Sequence, residues 1–550
     1  MRADLVLTNA NVFTVDAERS RAEAVAVAGG RIVAVGAAGE VEDLIGPRTQ
    51  VLDLGRRLVL PGFIDAHMHA SHAVQEIYAL KLNNLRTVDE CLAALAAYAA
   101  AHPDPAVIRG FNWPTDVVPR ERLVASEIDA IVADRPVVLF DDGYHLGWVN
   151  SAALRLAGFD AAKPDPDNGI IERLPDGEPA GLLVEGPAFV LDRMLPFSQA
   201  QALDGLLHFQ REISARYGIT SIHDSAVLLD HHEAEAYAEL NGSDRADFRA
   251  ALSSWIFEDR PPAEQIEAAV ERRDRLARPL LQARAAKFFV DGVIEGHSGL
   301  LEEPYLDRPG FCGTSVWRPE ALCAAATAAA HAGLQLHFHA IGDAAISLAL
   351  DAIEAARAAC GGSVARPMIT HLQLAGPDHL ARMAAAGVVA LPQPYWFDKG
   401  DYFAATYPPK LGPARAEHQY PMRSFWEHGI VAASASDYPV SPPPDPLIGI
   451  QAGVLRTDPW AGGRSGTLWP EEAVTVEQMI ESFTINGAYA NFLEDETGSL
   501  EVGKAADLVV LSRDILSCPS EEIVDAGVEL TVFGGRPVYA GGPFAGFAGA

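Results

Sequence analysis

The chain is poor in cysteine. Its 550 residues contain five, at Cys91, Cys312, Cys323, Cys360 and Cys518, an odd number with no CxxC pair. That excludes a disulfide framework and a cysteine zinc finger. Long hydrophobic runs are also lacking. No stretch reaches the roughly 18 apolar residues of a membrane span without glycine, proline or charge. Basic charge is scarce: 42 Lys and Arg stand against 74 Asp and Glu, a formal charge of −32. Broad electrostatic binding to nucleic acid or anionic lipid needs a basic face and is excluded. The opening residues, MRADLVLTNANVFTVD, carry Asp4 and Asp16 and no apolar core of a signal peptide. The expectation is a cytoplasmic protein with neither nucleic acid nor a membrane as partner.

What the chain does have is a globular balance, 49% hydrophobic and 21% charged. Its length exceeds one small domain and can bury a large core. Both ends read as strands. DLVLTNANVFTV, AVAVAGGRIVAVG and QVLDLGRRLVLPG open the sequence, and KAADLVVLS and VELTVFGGRPVYAG close it, with a Gly534–Gly535 turn. Termini often lie close together, so residues 1–59 and 490–550 are expected to form one composite β-sandwich domain.

The middle, residues 60–489, alternates apolar runs with alanine-rich helical segments such as Pro319–Ala332 and Ala344–Ala359. Eight candidate strands stand out: Leu60–Ala66, Ile219–Asp224, Ala250–Ile256, Ala285–Val290, Gln335–Ala340, Met368–Leu372, Val388–Pro392 and Val431–Asp437. Alternating β and α units predict a parallel sheet, and eight of them a (β/α)8 barrel with its reactive face at the C-terminal strand ends. About 150 residues separate the first two strands, too many for a structureless loop. An inserted lid subdomain over about residues 75–210 is expected there.

Candidate ligands gather at the strand ends. The first ends in Asp65-Ala66-His67-Met68-His69, the fourth carries Lys287, the fifth His337 and His339, the sixth His371 and the eighth Asp437. Residues i and i+2 of a strand face one side, so His67 and His69 can reach one ion. Imidazoles and carboxylates around one pocket suit a divalent metal, zinc above all. His339 precedes Ala-Ile-Gly-Asp nearer the strand end and is taken as the ligand, with His337 deeper as a core residue or a support for the ligands. A carboxylate such as Asp437 can bind metal and take a proton from water. Lys287, in AAKFFVDG, reads from context alone as a snorkelling lysine or as a buried amine of depressed pKa.

In their order, PGFIDAHMH, KFFVDGVIEGHSG, LHFHAIGDAA, ITHLQ and SASDYPV resemble the amidohydrolase superfamily, and within it the YtcJ-like, or amidohydrolase-3, branch that includes N-substituted formamide deformylase. The resemblance covers nearly the whole chain, including DGYHLGWVNSAAL and EPAGLLVE. It implies metal ligation by His67, His69, His339 and His371. It implies Lys287 as a bridging ligand carrying a carbamate, and Asp437 as acid/base and further ligand. It also implies a (β/α)8 barrel with a composite β-sandwich from both termini, in agreement with the strand pattern. His145 matches a family histidine and is a candidate substrate or lid contact or a structural hydrogen-bonding group. GHSG departs from the family's more usual sequence, and His297 within it is a further candidate contact. Trp113, Trp148 and Trp396, with Phe111, Tyr144 and Tyr395, are candidate pocket walls or core residues.

The expected activity is metal-assisted hydrolysis of a non-peptide carbon–nitrogen bond, an amide or N-formyl/N-acyl group of a small molecule, by one or two zinc ions in a homodimer. The alternatives are a deaminase or cyclic-amide hydrolase on the same centre, or an inactive metal-binding regulatory protein.

Overall fold

A computed structural model describes residues 2–115, 119–166, 168–243, 245–441, 443–461 and 465–547. At its centre seven parallel strands form one sheet: β1 (Phe63–Met68), β2 (Ile219–Val227), β3 (Arg249–Trp255), β4 (Leu281–Phe289), β5 (Gln335–Ala340), β6 (Met368–His371) and β7 (Val389–Leu391). They pair in chain order from β1 to β7. Strand periodicity divides their side chains into two sets. Ile222, Leu252, Phe288, Leu336 and Phe338 enter the apolar core shared with the surrounding helices. Their chain neighbours His223, Ser253, Lys287 and His337 take the opposite, barrel-interior face and are fully buried there.

The eighth expected strand is an irregular extended segment rather than a regular one. Residues 431–437 make a single bridge, Ala390 to Ala432. They still span the gap. Ala433 N–H donates to Ala390 and Ala435 N–H to Pro392, while on the other side Ala66 N–H donates to Ser434 and Asp437 N–H to His67. Ser434 N–H turns instead to Ser482, and Asp437 sits at φ 58°, so a continuous ladder cannot form. The first strand also differs from expectation. Leu58–Pro61 pairs with Leu508–Leu511 in another sheet, and the barrel strand starts only at Phe63.

The helices follow local rules. Pro319–His331 and Pro377–Ala386 begin with proline in the first turn, where its missing N–H costs nothing. The second ends on Gly387 in the left-handed conformation, φ 66°. Asp343–Ala359 is rich in alanine and leucine.

Two further sheets come from the ends of the chain. One joins Asn11–Phe13, Arg21–Ala22 and Leu58–Pro61 to Leu508–Leu511, Val528–Phe533 and Arg536–Ala540. The other comprises Leu5–Thr8, Ala24–Ala28, Arg31–Gly36 and Gln50–Asp53. Leu5, Val25 and Ile32 of the second pack with Val12, Leu508 and Val532 of the first in one core.

Between β1 and β2 lies a fourth sheet of six strands, from Leu80–Lys81 to Pro179–Glu185, with its own cores around Trp113 and Trp148 and around Phe111 and Phe140. The helix Gln199–Phe209, within the expected insertion, instead buries Ala202, Leu206 and Phe209 in the barrel core. Among the described residues no helix is long and apolar enough to cross a membrane.

Candidate metal centre

The C-terminal ends of β1 and of the closing segment meet. Nε2 of His67 and Nε2 of His69 each lie 3.2 Å from Oδ1 of Asp437. Candidate ligand atoms of these three residues lie within 4.8 Å of one another. Asp65 holds the two elements together. Its buried carboxylate accepts from Ser436 N–H at 3.1 Å and from His67 N–H at 3.2 Å. Burial lifts this carboxyl to about 7 against those hydrogen bonds.

His339 and His371 complete a crowded group, with ring centroids 4.4 Å apart. Their tautomers follow from acceptors that cannot donate. Gln393 spends its amide N–H groups on Thr370 Oγ1 and the Leu391 carbonyl. Its Oε1 therefore accepts from His371 Nδ1 at 2.8 Å, which leaves Nε2 of His371 bare. His339 Nε2 lies 3.3 Å from the Gly292 carbonyl, so Nδ1 carries the lone pair. Burial depresses the basicity of His67 and His339 far below the ordinary imidazole value and that of His371 to about 4. Neutral rings are the form that binds metal.

Lys287 is 0% exposed. Its Nζ lies 3.5 Å from His337 Nε2 and 5.0 Å from the centre of the Phe289 ring. Among the described residues it forms no ion pair, and burial drives the amine well below its usual pKa. His337 itself lies beneath His67, with Nε2 3.0 Å from Nδ1 of His67. Asp437 behaves oppositely. Burial opposes its charge, but His69 and His371 beside it hold the carboxyl below the ordinary range.

The donor chemistry fits a divalent cation. Oδ1 of Asp437 and Nδ1 of His69 are buried without a hydrogen-bond partner, an arrangement costly for polar atoms unless something else satisfies them. Neutral imidazoles and one carboxylate are the ligand set of zinc.

Above these groups a cavity of about 440 Å³ opens. The barrel gives Trp255, Phe289 and Trp396 to its wall, and the sheet between β1 and β2 gives Phe140, Tyr144 and His145. Trp396 stacks on His371, 5.5 Å between centroids and 19° between planes. Asp142, Asp192, Glu295 and Asp398 are also on the wall. His145 faces the centre, its ring 5.7 Å from that of His339. Its Nδ1 lies 2.8 Å from Glu185. Burial disfavours its charge, but Glu185, and behind it Asp141, outweigh this and raise it to about 9.

Thus His67, His69, Lys287, His339, His371 and Asp437 come together, with His145 and Trp396 beside them. Trp113 and His297 do not reach the cavity. Trp113 is 1% exposed in the core beneath the six-stranded sheet and donates Nε1–H to the Leu139 carbonyl. His297 sits at φ 60° with Nε2 2.8 Å from Asp307.

The supporting roles of three residues were not legible in the sequence: Gln393, Asp291, and Asp65, which the strand-end pattern placed beside the candidate ligands without assigning it a role. Asp291 accepts from Leu300, Ile341 and Gly342 N–H at 2.9, 3.1 and 2.9 Å. It thereby clamps DGVIEGHSG to the HAIGD turn behind His339. Only the runs flanking Asp291 and Gly342 hinted at this. A Cβ on Gly342 would lie 1.9 Å from the Leu300 carbonyl oxygen.

Known proteins resemble this chain over most of its length. The model of the amidohydrolase family matches residues 50–539. N-substituted formamide deformylase of Arthrobacter pascens is 31% identical over 549 residues, covering 97% of both chains. The crystal structure of an uncharacterized metal-dependent hydrolase from Pyrococcus furiosus superposes with a TM-score of 0.71 at 23% identity, over 93% of this chain and 100% of that one. Zinc-complexed atrazine chlorohydrolase TrzN from Arthrobacter aurescens TC1 shares the fold at a TM-score of 0.53 and 15% identity, over 98% of this chain and 95% of the other. With the match running from before β1 to the last strand of the chain, the protein belongs to the amidohydrolase family and is a hydrolase of carbon–nitrogen bonds.

Proposed function

We propose that the strand ends hold one or two divalent ions, zinc foremost, and that the site hydrolyses the amide bond of a small N-formyl or N-acyl amine. The observation that carries this reading is the convergence of His67 and His69 on one oxygen of Asp437, 3.2 Å from each, at the floor of an aromatic cavity. His67, His69, His339 and His371 are the imidazole ligands, with Asp437 as a further one. The ion, when bound, supplies Lewis acidity that acidifies water and polarises the scissile carbonyl.

The protein's own groups do the rest. Asp437 is held ionised by its histidine neighbours, so it can take a proton from the attacking water and return it to the leaving nitrogen. Lys287 is dry, and its burial favours the neutral amine. Its Nζ can add to CO2, losing one proton, and the resulting carbamate offers oxygen ligands. Gln393 and the Gly292 carbonyl fix the rings of His371 and His339. The cationic His145, braced by Glu185, is placed to donate to a substrate oxygen. Trp396 supplies a stacking face. Aromatic walls carrying Asp142, Asp192, Glu295 and Asp398 favour an uncharged aromatic substrate over one bearing a carboxylate.

In this reading residues 1–59 and 490–550 form one accessory domain and residues 60–489 the catalytic barrel. The segment from about residue 75 to the helix at Gln199 is the lid. The N-formyl specificity draws on the formamide deformylase likeness.

The test is Asp437→Asn assayed on N-formyl arylalkylamines. We expect turnover to fall by about 10²–10⁴-fold. Unchanged turnover with metal retained removes Asp437 from the chemistry.

A further inference from the structure

Part of the barrel interior beneath the cavity is polar, where branched apolar side chains usually fill it. A single row of hydrogen-bonding groups descends from the candidate metal centre. His67 Nδ1 lies 3.0 Å from His337 Nε2. His337 Nδ1 lies 2.9 Å from Ser253 Oγ, Ser253 Oγ 2.7 Å from His223 Nε2, and His223 Nδ1 2.6 Å from Asn491 Oδ1. All five residues are buried, none more than 2% exposed. Water cannot substitute for a missing partner there, so the ring nitrogens and the Ser253 hydroxyl depend on their neighbours in the row, while the amide nitrogen of Asn491 at its end is buried without a hydrogen-bond partner.

Asn491 closes the row at the opposite end of the barrel. It follows the helix Ile485–Ala490, its N–H donates back to Ala488, and its carbonyl accepts from Gln282 at 3.2 Å. Its backbone is thus tied to the barrel floor.

Such a row has a direction. A neutral imidazole offers one donor and one acceptor, and a hydroxyl offers one donor. Asn491 presents Oδ1, which only accepts. His223 must then donate from Nδ1 and accept at Nε2 from the Ser253 hydroxyl. Ser253 accepts from His337 Nδ1–H, and His337 Nε2 accepts from His67 Nδ1–H at 3.0 Å, closer than the Lys287 amine at 3.5 Å. Nε2 of His67 is left without a proton, 3.2 Å from an oxygen of Asp437. A bare nitrogen opposite a carboxylate oxygen is wrong for a hydrogen bond and right for a shared cation.

We propose that Ser253 and Asn491 are positioning residues for the candidate metal centre: through His223 and His337 they lock His67 in the tautomer that turns an electron pair on Nε2 towards the ion. The proposal rests on the metal-centre reading given above, but its core can be read in metal-free protein.

The experiment is nitrogen NMR of chelator-stripped full-length protein labelled with 15N-histidine, with His67 assigned by its loss in His67→Gln. Zinc affinity is measured in parallel by competition with a chromophoric chelator. The expected wild-type signal is a protonated Nδ1 and a bare Nε2 at His67. Ser253→Ala should mix the two tautomers and weaken zinc binding about 10–100-fold. Ser253→Thr, which restores the hydroxyl, should bind within about threefold of wild type. A wild-type His67 protonated at Nε2 overturns the proposal, as does a Ser253→Ala variant with unchanged tautomer and affinity. Should Ser253→Ala fail to fold, Asn491→Asp and Asn491→Leu decide. The aspartate, an acceptor, should keep the wild-type tautomer and the leucine should lose it, and the converse overturns the proposal. Wild-type protein that shows the expected tautomer yet retains no zinc supports the row and sinks the metal reading instead.

Discussion

A single carboxylate oxygen shared by two imidazoles is the feature on which the site turns, because it sets the roles of the groups around it. His67 and His69 reach Asp437 since a strand puts i and i+2 on one side, and that much was legible in the spacing of HMH. The residues that aim them were not. Asp65 meets Ser436 across 371 positions of chain, and Gln393 meets His371 only because β6 and β7 are adjacent. No local pattern carries such contacts. His145 offers a pH test at this scale. Its pKa is raised to about 9, above the unfolded histidine value of about 6.5. The stability it contributes is therefore full below about pH 6.5 and is lost as the pH rises through about 9. Glu185→Gln should remove that contribution, about 3 kcal/mol at most. Urea unfolding should show the wild type ahead at pH 6.5 and the two proteins converging above pH 9. A gap that is the same at both pH values would deny the pair its charge.

Elements were legible where they are regular. The strands β2 to β6 are apolar on one face and flanked by helical periods, so periodicity finds them. Their bounds shift by only a few residues from expectation. Two failures share one physical cause. Leu58–Pro61 and Phe63–Met68 form a single apolar run in sequence, but the first half pairs with Leu508–Leu511 and the second with β2. Residues 431–437 read as a strand, but hydrogen bonds to Ser482 and to Asp65 draw their N–H groups out of a ladder. Partners far along the chain decide both cases. The loop that follows β4 makes the element-scale prediction. Gly342→Ala would drive a Cβ against the Leu300 carbonyl and loosen the clamp that Asp291 makes behind His339. We expect a loss of about 1–3 kcal/mol in urea unfolding together with weaker zinc binding. A variant of wild-type stability and affinity would show that the clamp is not needed.

At the scale of the whole molecule, the barrel supplies the candidate ligands and the inserted sheet supplies one wall of the cavity. The chain could announce the insertion by its length alone, because 150 residues without a barrel strand demand their own core. It could not announce which aromatic residues face the cavity. Trp113 and Trp396 look alike in sequence, yet one is core beneath the inserted sheet and the other stacks on His371. The wall carboxylates lead to a prediction about substrates. An N-formyl arylalkylamine should be hydrolysed with a kcat/KM at least about tenfold above that of the analogue carrying an α-carboxylate, a ratio of about 1.4 kcal/mol. Equal values would mean that Asp142, Asp192, Glu295 and Asp398 exert no selection. The central claim is that the strand ends form a divalent metal centre. Elemental analysis of protein purified without added metal or chelator tests it most directly. About one to two equivalents of a divalent transition metal are predicted, absent from a His67→Ala, His69→Ala double variant. Metal-free protein that also fails to retain zinc at micromolar concentration would contradict the account.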